Sequence, residues 1–543
     1  MNSNLRTKTY DVAVCGAGPV GMTAAVLLAT RGLDVMIVER HNSTSDEPKA
    51  ISLDDEALRV YQQAGISDDV LGIVVPGTGT RYYDSDNKPF FHAQAAIADR
   101  LGYPFKNPFA QPDLERVLVD NLDSHPRIDV QFGTEVVGVE QDDSAVTMTL
   151  RRGEESSSIT ARYALGCDGG RSTFRALLDV DMIGRSHPDV WLVVDTLGDG
   201  HTERFGMHHG DPIRPHVIVP GLDGRCRYEF RLYPGEGEPT DRPSFELIRR
   251  LLAPYREITP QQVERAVNYK FHGLVADRWQ IGRCFLLGDA AHMMPPFAGQ
   301  GLNSGIRDAA NLAWKIADVL TDKLNPETLS SYESERRPHA EATIRASEKL
   351  GRIVMTTSTR LARRRDELIG ASLATTDGRR FFEEMRYRPS QHFTRGLVAN
   401  SNNTELVGVP LGQPRLFDLE NRRAVLMDEV TGQGWSLIGV GIADEDWPRA
   451  DPVAELFGAT IASVPTDDTL PRIDHRILVG TDAGLLREFG PYRGRFVLLR
   501  PDHFVAATWY PDESSDIYQA LAQWTPNALG AGDVNELTKG ARS

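Results

Sequence analysis

The residues with the most specific chemistry lie near the N-terminus, where a strand-like run leads directly into Gly16-Ala-Gly18-Pro-Val-Gly21 and a second strand ends on Glu39. This spacing suits a dinucleotide. Gly16 permits a tight turn, Gly18 lets backbone N–H groups approach a pyrophosphate, and Gly21 lets a helix pack close on the strand. The helix N-terminus offers free N–H groups and a positive dipole end to the phosphates, and Glu39 can accept hydrogen bonds from an adenosine ribose. The pattern predicts a dinucleotide site; the alternative is a glycine turn in another α/β fold.

A second cluster follows another apolar strand and reads Asp168-Gly-Gly-Arg-Ser172-Thr-Phe-Arg175. A carboxylate and a glycine at a strand end, followed by a helix start with serine and arginine, can hold a ribose or a pyrophosphate. The same residues could equally form a loop with a helix cap. This segment alone leaves both interpretations open.

A third cluster begins where Gly288-Asp289 ends a further buried strand, and its carboxylate can bind a ribityl hydroxyl. Pro295 and Pro296 then stiffen a loop, and Gly299-Gln-Gly301 follows at another helix start. Glycines there bring backbone N–H groups close to a flat ligand, where they can stabilise negative charge on a reduced flavin ring.

In this order the three clusters resemble the single-component FAD-dependent aromatic hydroxylases, a family that includes phenol and para-hydroxybenzoate hydroxylases. The glycine fingerprint is common to all Rossmann proteins, whereas the Asp168-Gly and Gly288-Asp289 motifs at these separations are specific to that family. Within it, the chain looks most similar to 3-(3-hydroxyphenyl)propionate hydroxylases in residues 50–59, in Tyr228-Glu-Phe-Arg, in Pro234-Gly-Glu and in residues 499–506.

The resemblance implies bound FAD, reduction by NADH or NADPH, and reaction with O₂ through a flavin C4a-hydroperoxide that hydroxylates a phenolic ring. Glu39 and the glycines would hold the ADP half, Gln111 the central portion of the flavin, and Asp289 the ribityl chain. The full set of implied cofactor-binding residues is Gly16, Gly18, Pro19, Val20, Gly21, Glu39, Arg40, Lys49, Gln111, Asp168, Arg175, Gly288, Asp289, Pro296, Gly299, Gln300, Gly301, Leu302 and Asn303.

Two departures from the phenylpropionate enzymes bear on the substrate and on the phosphates. The loop reads Pro295-Pro-Phe297-Ala-Gly299, the general family form, where a Trp-Gln pair is usual before the glycine. The resemblance predicts a 3-(3-hydroxyphenyl)propionate-like phenol as the substrate, and because this departure touches the substrate pocket, an N-heteroaromatic such as a quinolone or hydroxyquinoline is the alternative. Lys49 replaces a usual arginine, which keeps the positive charge and loses the bidentate fork.

The candidate catalytic residues are Tyr228 and His292, and the predicted substrate pocket comprises Tyr228, Pro295 and Phe297. Tyr228 can orient or deprotonate a phenol, but its place on an alternating strand also suits the core. His292 can act as a base or make a structural hydrogen bond. No metal cluster emerges from the sequence.

The strand that carries Tyr228 alternates cleanly between an apolar face and a charged one. The charged face presents Arg225, Arg227, Glu229 and Arg231. A guanidinium there could anchor a substrate carboxylate bidentately. A solvated sheet face is the favoured interpretation.

The predicted fold class is α/β, with a Rossmann-like FAD-binding domain, a mixed β-sheet substrate domain and a C-terminal thioredoxin-like α/β domain. The FAD-binding domain takes residues 1–75, 105–180 and 281–398, including a helical extension, and the substrate domain takes residues 76–104 and 181–280. A polar stretch at residues 399–404 marks a boundary, and residues 405–543 form the last domain.

The thioredoxin-like assignment comes from the resemblance, and the domain would lack redox cysteines. The four cysteines are Cys15, Cys167, Cys226 and Cys284, so no dithiol chemistry is available beyond residue 284. A role in packing or oligomerisation is then expected, and a homodimer is compatible with the resemblance.

The net charge and the hydropathy of the chain disfavour several kinds of partner. The 543 residues carry a net charge of −16, which disfavours nucleic acid and anionic membranes. No apolar stretch approaches the ~20 residues that span a bilayer. The partners expected are a small aromatic substrate and O₂, in a soluble cytoplasmic protein.

Three rival functions also use a flavin-binding domain. A flavin-dependent halogenase is disfavoured because none of the seven tryptophans lies two positions from another. A non-oxygenating flavin reductase, or a flavin-binding sensor, would show no substrate-stimulated NAD(P)H oxidation.

Overall fold

The computed structural model describes residues 9–47, 49–399, 405–418, 421–466 and 476–526. Residues 400–404 of the predicted boundary and residues 527–543 of the predicted last domain lie outside these ranges. The chain forms two compact units. The first comprises the described residues up to Asp99, Tyr103–Ala309 and Pro338–Pro389, and the second comprises Arg100–Gly102, Ala310–Arg337 and the described residues from Ser390 onward.

The first unit contains both predicted sheets. Its strands are Thr9–Cys15, Val35–Val38, Ser52–Leu53, Thr80–Tyr83, Pro89–Ala93, Asn107–Pro108, Ile128–Gln131, Glu135–Gln141, Val146–Arg152, Glu155–Gly166, Met182–Thr196, Gly206–His209, His216–Pro220, Cys226–Arg231, Val263–Ala276, Gln280–Ile281, Cys284–Leu286 and His292–Met293. Its α-helices are Pro19–Ala29, Asp55–Gln63, Ser67–Gly72, Gln111–Ser124, Thr173–Leu177, Phe245–Leu252, Thr359–Leu373 and Thr376–Glu383, with 3₁₀ turns at Pro260–Gln262, Gly288–Ala290 and Pro296–Ala298.

The second unit follows a similar alternation of strands and helices. Its strands are Arg415–Asp418, Arg423–Leu426, Ser436–Val440, Thr460–Val464, Arg476–Ile477, Arg495–Leu499 and Val505–Trp509. Its helices are Met427–Thr431, Asp451–Phe457, Gly484–Phe489 and Ser514–Ala522, with 3₁₀ turns at Pro326–Ser330, Asp444–Arg449, Gly490–Tyr492 and Pro511–Glu513. Two helices, Gly301–Leu320 and Ser331–Val354, contribute residues to both units.

Parallel strands build the sheet that carries the three sequence clusters. The parallel order is Cys284–Leu286, Glu155–Gly166, Thr9–Cys15, Val35–Val38 and Ile128–Gln131. Cys15 lies opposite both Gly166 and Val38, and Gly166 lies opposite Leu286. The carboxyl ends of these strands therefore meet at one edge, where ligands bind in open α/β sheets.

Burial on both faces explains the apolar runs of this sheet. Val35–Val38 and Cys284–Leu286 are buried throughout, and every residue of the helix Pro19–Ala29 except Val20 is buried. Strands and helices enclosed in this way show continuous hydrophobic sequence instead of an amphipathic period.

The second sheet is mostly antiparallel and has two differently packed faces. Its order is His292–Met293, Val263–Ala276, Met182–Thr196, Cys226–Arg231, His216–Pro220, Gly206–His209, Thr80–Tyr83 and Pro89–Ala93. One face packs Leu192, Ile218 and Tyr228 against the helix Phe245–Leu252. The other face carries Trp191, Val217, Val219 and Phe271. Alternation along each strand separates the two sets.

A mixed sheet forms the core of the second unit. Its order is Arg476–Ile477, Thr460–Val464, Ser436–Val440, Arg495–Leu499 and Val505–Trp509, with the first three strands parallel and the last two antiparallel to their neighbours. Residues 310–337, which the sequence assigns to the FAD-binding domain, are grouped with this unit.

Buried charges in the second unit explain that grouping. The Lys315 ammonium donates to Glu335 at 2.7 Å, and the Arg500 guanidinium donates to both Glu335 oxygens at 2.8 and 2.7 Å. All three side chains have no exposed surface. Burial alone would raise the pKa of Glu335, but Arg500 and Lys315 hold it at about 2.

Replacement of Glu335 by alanine should destabilise the second unit strongly, because it leaves Lys315 and Arg500 buried without their shared carboxylate. Breaking such a pair costs about 3–5 kcal/mol of unfolding free energy. Chemical denaturation followed by tryptophan fluorescence measures the loss. Glu333→Ala, on the same helix and with a side chain that is 28% exposed, should cost under ~1 kcal/mol.

The same pair predicts a pH dependence. Because the folded-state pKa of Glu335 lies below its ordinary value of 4.5, its stabilisation is complete above about pH 4.5 and is lost as the pH falls toward 2. If Glu335→Ala and Glu333→Ala lost equal unfolding free energy, or if their stability fell equally at acid pH, this account would be contradicted.

Candidate active site

The three fingerprint glycines each meet the constraint expected of them. Gly16 has a φ of +108°, and a Cβ there would lie 2.6 Å from the Cys167 carbonyl oxygen. A Cβ on Gly21 would lie 2.1 Å from the Gly16 carbonyl oxygen, so the helix can pack only without a side chain. A Cβ on Gly18 would meet no atom within 4 Å. Open space thus lies beside the N-terminus of the helix Pro19–Ala29.

Glu39 and its neighbours shape the other side of this turn. The Glu39 carboxylate accepts from the backbone N–H of Ala17 at 2.9 Å and of His41 at 2.8 Å. Arg40 lies on the exposed side and donates to the His41 ring at 3.2 Å. The acid at the end of the second strand therefore lies directly beside the glycine turn.

In the second cluster, Asp168 caps a helix and Arg175 contacts the third cluster. Asp168 accepts from the Ser172 hydroxyl and from the Phe174 N–H at 3.0 Å, which caps the helix Thr173–Leu177. Arg175 donates to the carbonyls of Gly170 and Ala290, at 2.9 and 3.0 Å. Its guanidinium thereby ties the second cluster to the third.

Gln111 and Lys49 take part in the contacts that hold residues 49–50 in place. Gln111 begins the helix Gln111–Ser124, accepts from the Ala50 N–H at 2.8 Å and donates to Glu115 at 2.7 Å. The Lys49 side chain is exposed, while its carbonyl accepts from Arg227 at 2.7 Å. Both contacts fix residues 49–50 beside the sheet edge.

Asp289 follows the buried strand Cys284–Leu286 at the same edge. Its side chain is exposed, yet surrounding protein raises the pKa of the carboxyl by desolvation, while His292 and Lys49 act in the opposite direction. Desolvation, together with the charge of Asp289, raises the pKa of the exposed Tyr269 to about 12. An ionised carboxylate at this position can accept hydrogen bonds from the hydroxyls of a bound ligand.

The loop before the helix Gly301–Leu320 is held by one amide. Asn303 donates to the carbonyls of Ser52 at 3.0 Å and Gly299 at 2.8 Å, and it accepts from the Asp54 N–H at 3.0 Å. Gly299 has a φ of +63°, and a Cβ on Gly301 would meet no atom within 4 Å. Asn303 thus ties the loop 299–303 to the segment 52–54, and open space lies beside Gly301.

Buried charges support that loop from behind. Gln300 accepts from Arg307 at 2.9 Å and donates to Asp54 at 3.3 Å. The Arg307 guanidinium also pairs with Asp54 and Glu56. Leu302 is half-buried and, like Gly299 and Gly301, has no polar side chain to join this network.

His292 lies in the interior beneath the third cluster. Its Nε2 atom lies 2.6 Å from Asp308, and Asp308 also accepts from the Gly288 N–H at 3.1 Å. The imidazole has no exposed surface. The contact therefore connects His292 to the turn that carries Gly288 and Asp289.

An aromatic cluster lies between the loop and the second sheet. The Phe297 ring lies 5.7 Å from Trp191 and 5.4 Å from Phe271, both edge-on. Tyr82 belongs to the same cluster, and its hydroxyl lies 3.3 Å from that of Tyr387. Pro295 lies two residues before Phe297 in the chain.

Helix Ser331–Val354 seals that side of the loop. Ser347 donates to the Pro295 carbonyl at 2.8 Å. A Cβ on Gly351 would lie 2.4 Å from the Phe297 ring, so the helix approaches the ring closely because residue 351 lacks a side chain. Pro296 begins the 3₁₀ turn that places Phe297 there.

The structure does not bring Tyr228 together with Pro295 and Phe297. Tyr228 lies on the opposite face of the second sheet, and its hydroxyl donates to Asp199 at 2.8 Å. Asp199 also accepts from Arg256 at 2.9 Å. The period of two that suggested Tyr228 also directs it away from the face that carries Trp191.

The favoured interpretation of a solvated arginine face is wrong for Arg227, whose side chain is 3% exposed. Arg227 donates to both oxygens of Asp195, at 2.7 and 3.0 Å. Arg231 is half-buried, pairs with Asp189 at 2.5 Å and donates to the Met355 carbonyl at 3.3 Å. Other segments of the chain cover this face, since Arg227 also donates to the Lys49 carbonyl.

The sequence reasoning missed Tyr82, Tyr387, Trp191 and Lys106. The stretch 76–104 is visibly rich in aromatic residues, which was a usable signal for Tyr82. Tyr387 lies 305 positions further along the chain, so no local pattern could join the two.

The geometry fits a dinucleotide with a flat ring. Open space lies at Gly18 and at Gly301, each next to the N-terminus of a helix longer than two turns, and Asp289 lies at the same edge. Among the described residues, no group of three His, Cys, Asp or Glu side chains could hold a metal ion. Within those residues, no helix is long and apolar enough to cross a membrane.

Comparison with protein families gives two matches. Residues 9–347 match the model described as an FAD binding domain, and residues 408–524 match the HcaD C-terminal domain. The first match covers more than half of the chain.

Comparison with curated proteins gives relatives along nearly the whole chain. A 3-(3-hydroxy-phenyl)propionate/3-hydroxycinnamic acid hydroxylase of Burkholderia vietnamiensis (strain G4 / LMG 22486) is 34% identical over 529 residues, which is 93% of this chain and 95% of that protein. A hydroxylase of the same name from Mycobacterium sp. (strain KMS) is 35% identical over 530 residues, or 94% of this chain and 90% of that protein.

Solved structures share the fold. The flavin-dependent monooxygenase PieE, crystallised with FAD and substrate, superimposes with a TM-score of 0.76 at 22% identity, covering 95% of this chain and 99% of that one. An aklavinone-11 hydroxylase complex with FAD and aklavinone gives 0.72 at 20% identity, covering 100% and 99%. With the family match and the curated relatives, the chain belongs to the FAD-dependent aromatic-ring hydroxylases, the flavoprotein monooxygenases that its three motifs resemble.

Proposed function

We propose that this enzyme hydroxylates a phenolic ring with a short carboxylate side chain, of which 3-(3-hydroxyphenyl)propionate is the representative. The observation that carries the proposal is the aromatic cluster of Phe297, Trp191, Phe271 and Tyr82 beside the loop 299–303. A flat apolar ring packs well among edge-on aromatic side chains. The names of the curated relatives support the same substrate class.

FAD supplies the redox and oxygen-transfer chemistry when bound. The glycine turn and Glu39 hold its ADP half, Asp289 its ribityl chain, and the backbone N–H groups at Gly299–Gly301 the ring. Donors at a helix N-terminus stabilise negative charge on such a ring. Lys49, Arg40 and Arg175 supply positive charge for the phosphates of FAD and NAD(P)H.

Arg231 attracts the carboxylate of the substrate. It lies at the edge of the aromatic cluster, where one terminal nitrogen donates to the Met355 carbonyl and the other to Asp189. A guanidinium can still donate to a second carboxylate from its remaining N–H groups. The aromatic walls exclude water from the reacting ring.

The contacts of Tyr228 and His292 support a structural interpretation of both residues. The hydroxyl of Tyr228 is held by Asp199, away from the cluster. His292 positions the Gly288 turn through Asp308.

The sheet order of the second unit supports a thioredoxin-like domain over residues 405–543, with a role in packing or in a homodimer. A central parallel pair, Ser436–Val440 and Thr460–Val464, is followed by an antiparallel hairpin and a final helix. Residues 76–104 and 181–280 then serve as the substrate domain.

A substrate panel tests the proposal. Purified holoenzyme should oxidise NADH or NADPH faster with 3-(3-hydroxyphenyl)propionate, and mass spectrometry should show a product heavier by one oxygen atom. 3-Phenylpropionate, which lacks the hydroxyl, should yield no hydroxylated product. Oxygenation of a hydroxyquinoline alone would replace the substrate class, and absence of any stimulated oxidation would overturn the proposal.

Asp289→Ala should give largely flavin-free protein, because the variant loses the carboxylate that accepts from the ribityl hydroxyls. The ratio of absorbance near 450 nm to that at 280 nm measures retained flavin. Asp143→Ala, at an exposed position of the same unit, should keep full occupancy. Full flavin in Asp289→Ala would refute the assignment.

Asn303→Ala should lower the fraction of NAD(P)H oxidation that yields hydroxylated product. Its three hydrogen bonds shape the loop 299–303, called here the ring loop, and fix it against residues 52–54. Each lost bond is worth about 1 kcal/mol. Asn303→Asp should be worse, because a carboxylate would face the carbonyls of Ser52 and Gly299. Product formed per NAD(P)H consumed is the readout, and unchanged coupling in both variants would exclude this role.

A further inference from the structure

Lys106 has a backbone conformation that lysine seldom adopts. Its φ is +59°, in the left-handed region that favours glycine and asparagine. The neighbouring residue, Asn107, fixes the segment by accepting from the Gly77 N–H at 2.8 Å and donating to the carbonyls of Leu53 and Pro104. Retention of a strained residue at a functional cleft points to a role for its side chain.

The Lys106 side chain crosses from the ring loop to the second sheet. Its Cε atom lies 3.7 Å from the position that a Cβ on Gly299 would occupy, and its Nζ atom donates to the Thr80 hydroxyl at 2.7 Å. Thr80 and Tyr82 alternate along one strand and therefore project from the same face. The amine thus lies at the end of the aromatic cluster nearest the Gly299 turn.

A second buried polar group faces this end of the cluster. His208 pairs with Tyr82 across neighbouring strands, and their rings lie 5.2 Å apart. It is 7% exposed, and its Nδ1 atom has no hydrogen-bond partner within the described residues. Burial lowers the pKa of His208 well below its usual value, and the charge of Lys106 adds to the effect. A neutral imidazole and an amine therefore converge on one place.

We propose that the Lys106 amine accepts the proton of the substrate phenol and then holds the phenolate at this end of the cluster. The phenol O–H bond breaks, an N–H bond forms on Nζ, and the electron pair stays on the oxygen, where it activates the ring for oxygen transfer. The inference rests on the proposed function and names its base. It also fixes the orientation of the ring, with the hydroxyl toward Gly299 and Lys106, and the carboxylate toward Arg231.

The surroundings of Lys106 suit this task. Burial, together with the positive charge of Arg388, lowers the pKa of the amine to about 7, while Asp54 acts in the opposite direction. His208 and Thr80 face it from the second sheet. At neutral pH a large fraction of the amine is thus unprotonated and able to accept a proton, as a general base requires.

The test compares wild type, Lys106→Met and the exposed control Lys88→Met on 3-(3-hydroxyphenyl)propionate. In wild type, kcat/KM should rise with pH through about 7, because the base must be neutral. Lys106→Met should lose about 10²–10³-fold in kcat/KM and should lose this limb of the profile. Lys88→Met should keep both.

Binding spectra separate catalysis from structure. The absorbance of bound phenolate, titrated in oxidised enzyme without NAD(P)H, should appear at lower pH in wild type than in free solution, and should return to the free value in Lys106→Met. If Lys106→Met does not retain FAD, Thr80→Val, which removes the hydrogen-bond partner of Nζ, should shift the same titration. If the pH profile and the phenolate titration of Lys106→Met matched those of wild type, the role of Lys106 would be overturned. Hydroxylation by wild type would still support the proposed function. Failure of wild type to hydroxylate this phenol would instead overturn the proposed function.

Discussion

Backbone segments at the carboxyl end of the parallel sheet approach so closely that no side chain can stand between them. The carbonyl of Gly16 occupies the place of a Cβ on Gly21, and a Cβ on Gly305 would lie 3.0 Å from the Cα of Gly288 and 2.5 Å from the Val20 side chain. Val20 therefore packs against both later glycines. The N-termini of two helices, which begin at Pro19 and Gly301, are brought to one edge by this crowding, and the cofactor site depends on it.

A second constraint acts on the ring loop, and it is electrostatic. Arg307 carries a buried positive charge, and Asp54 and Glu56 neutralise it while Gln300 takes one remaining N–H group. Because an unpaired charge is so costly in the interior, this arrangement has one satisfactory geometry. Asn303 transmits that geometry to the backbone that faces the ring. The loop can then be glycine-rich and still hold a defined shape.

The sequence predicted the parts of the fold that rest on local pattern, and missed those that rest on pairing across distance. The glycine turn, the Gly288-Asp289 strand end and both sheets follow from motif spacing and periodicity. The period of two identified the faces around Tyr228 but could not say which face met the ring loop. Lys106 carries no motif, because its significance comes from Thr80 and Gly299, which meet it only in the folded chain.

The charged group of Lys315, Glu335 and Arg500 has a consequence for how the enzyme can be divided. Trp314 packs edge-on against Trp435 at 5.4 Å, and the Trp435 indole donates to Asp318 at 2.9 Å, so residues 310–337 complete the core of the second unit. A gene cut near residue 404 would leave Lys315 and Glu335 without Arg500 and Trp314 without its cover. The C-terminal module therefore cannot be exchanged between homologues as a cassette, and a recombination point must bring residues 310–337 with it.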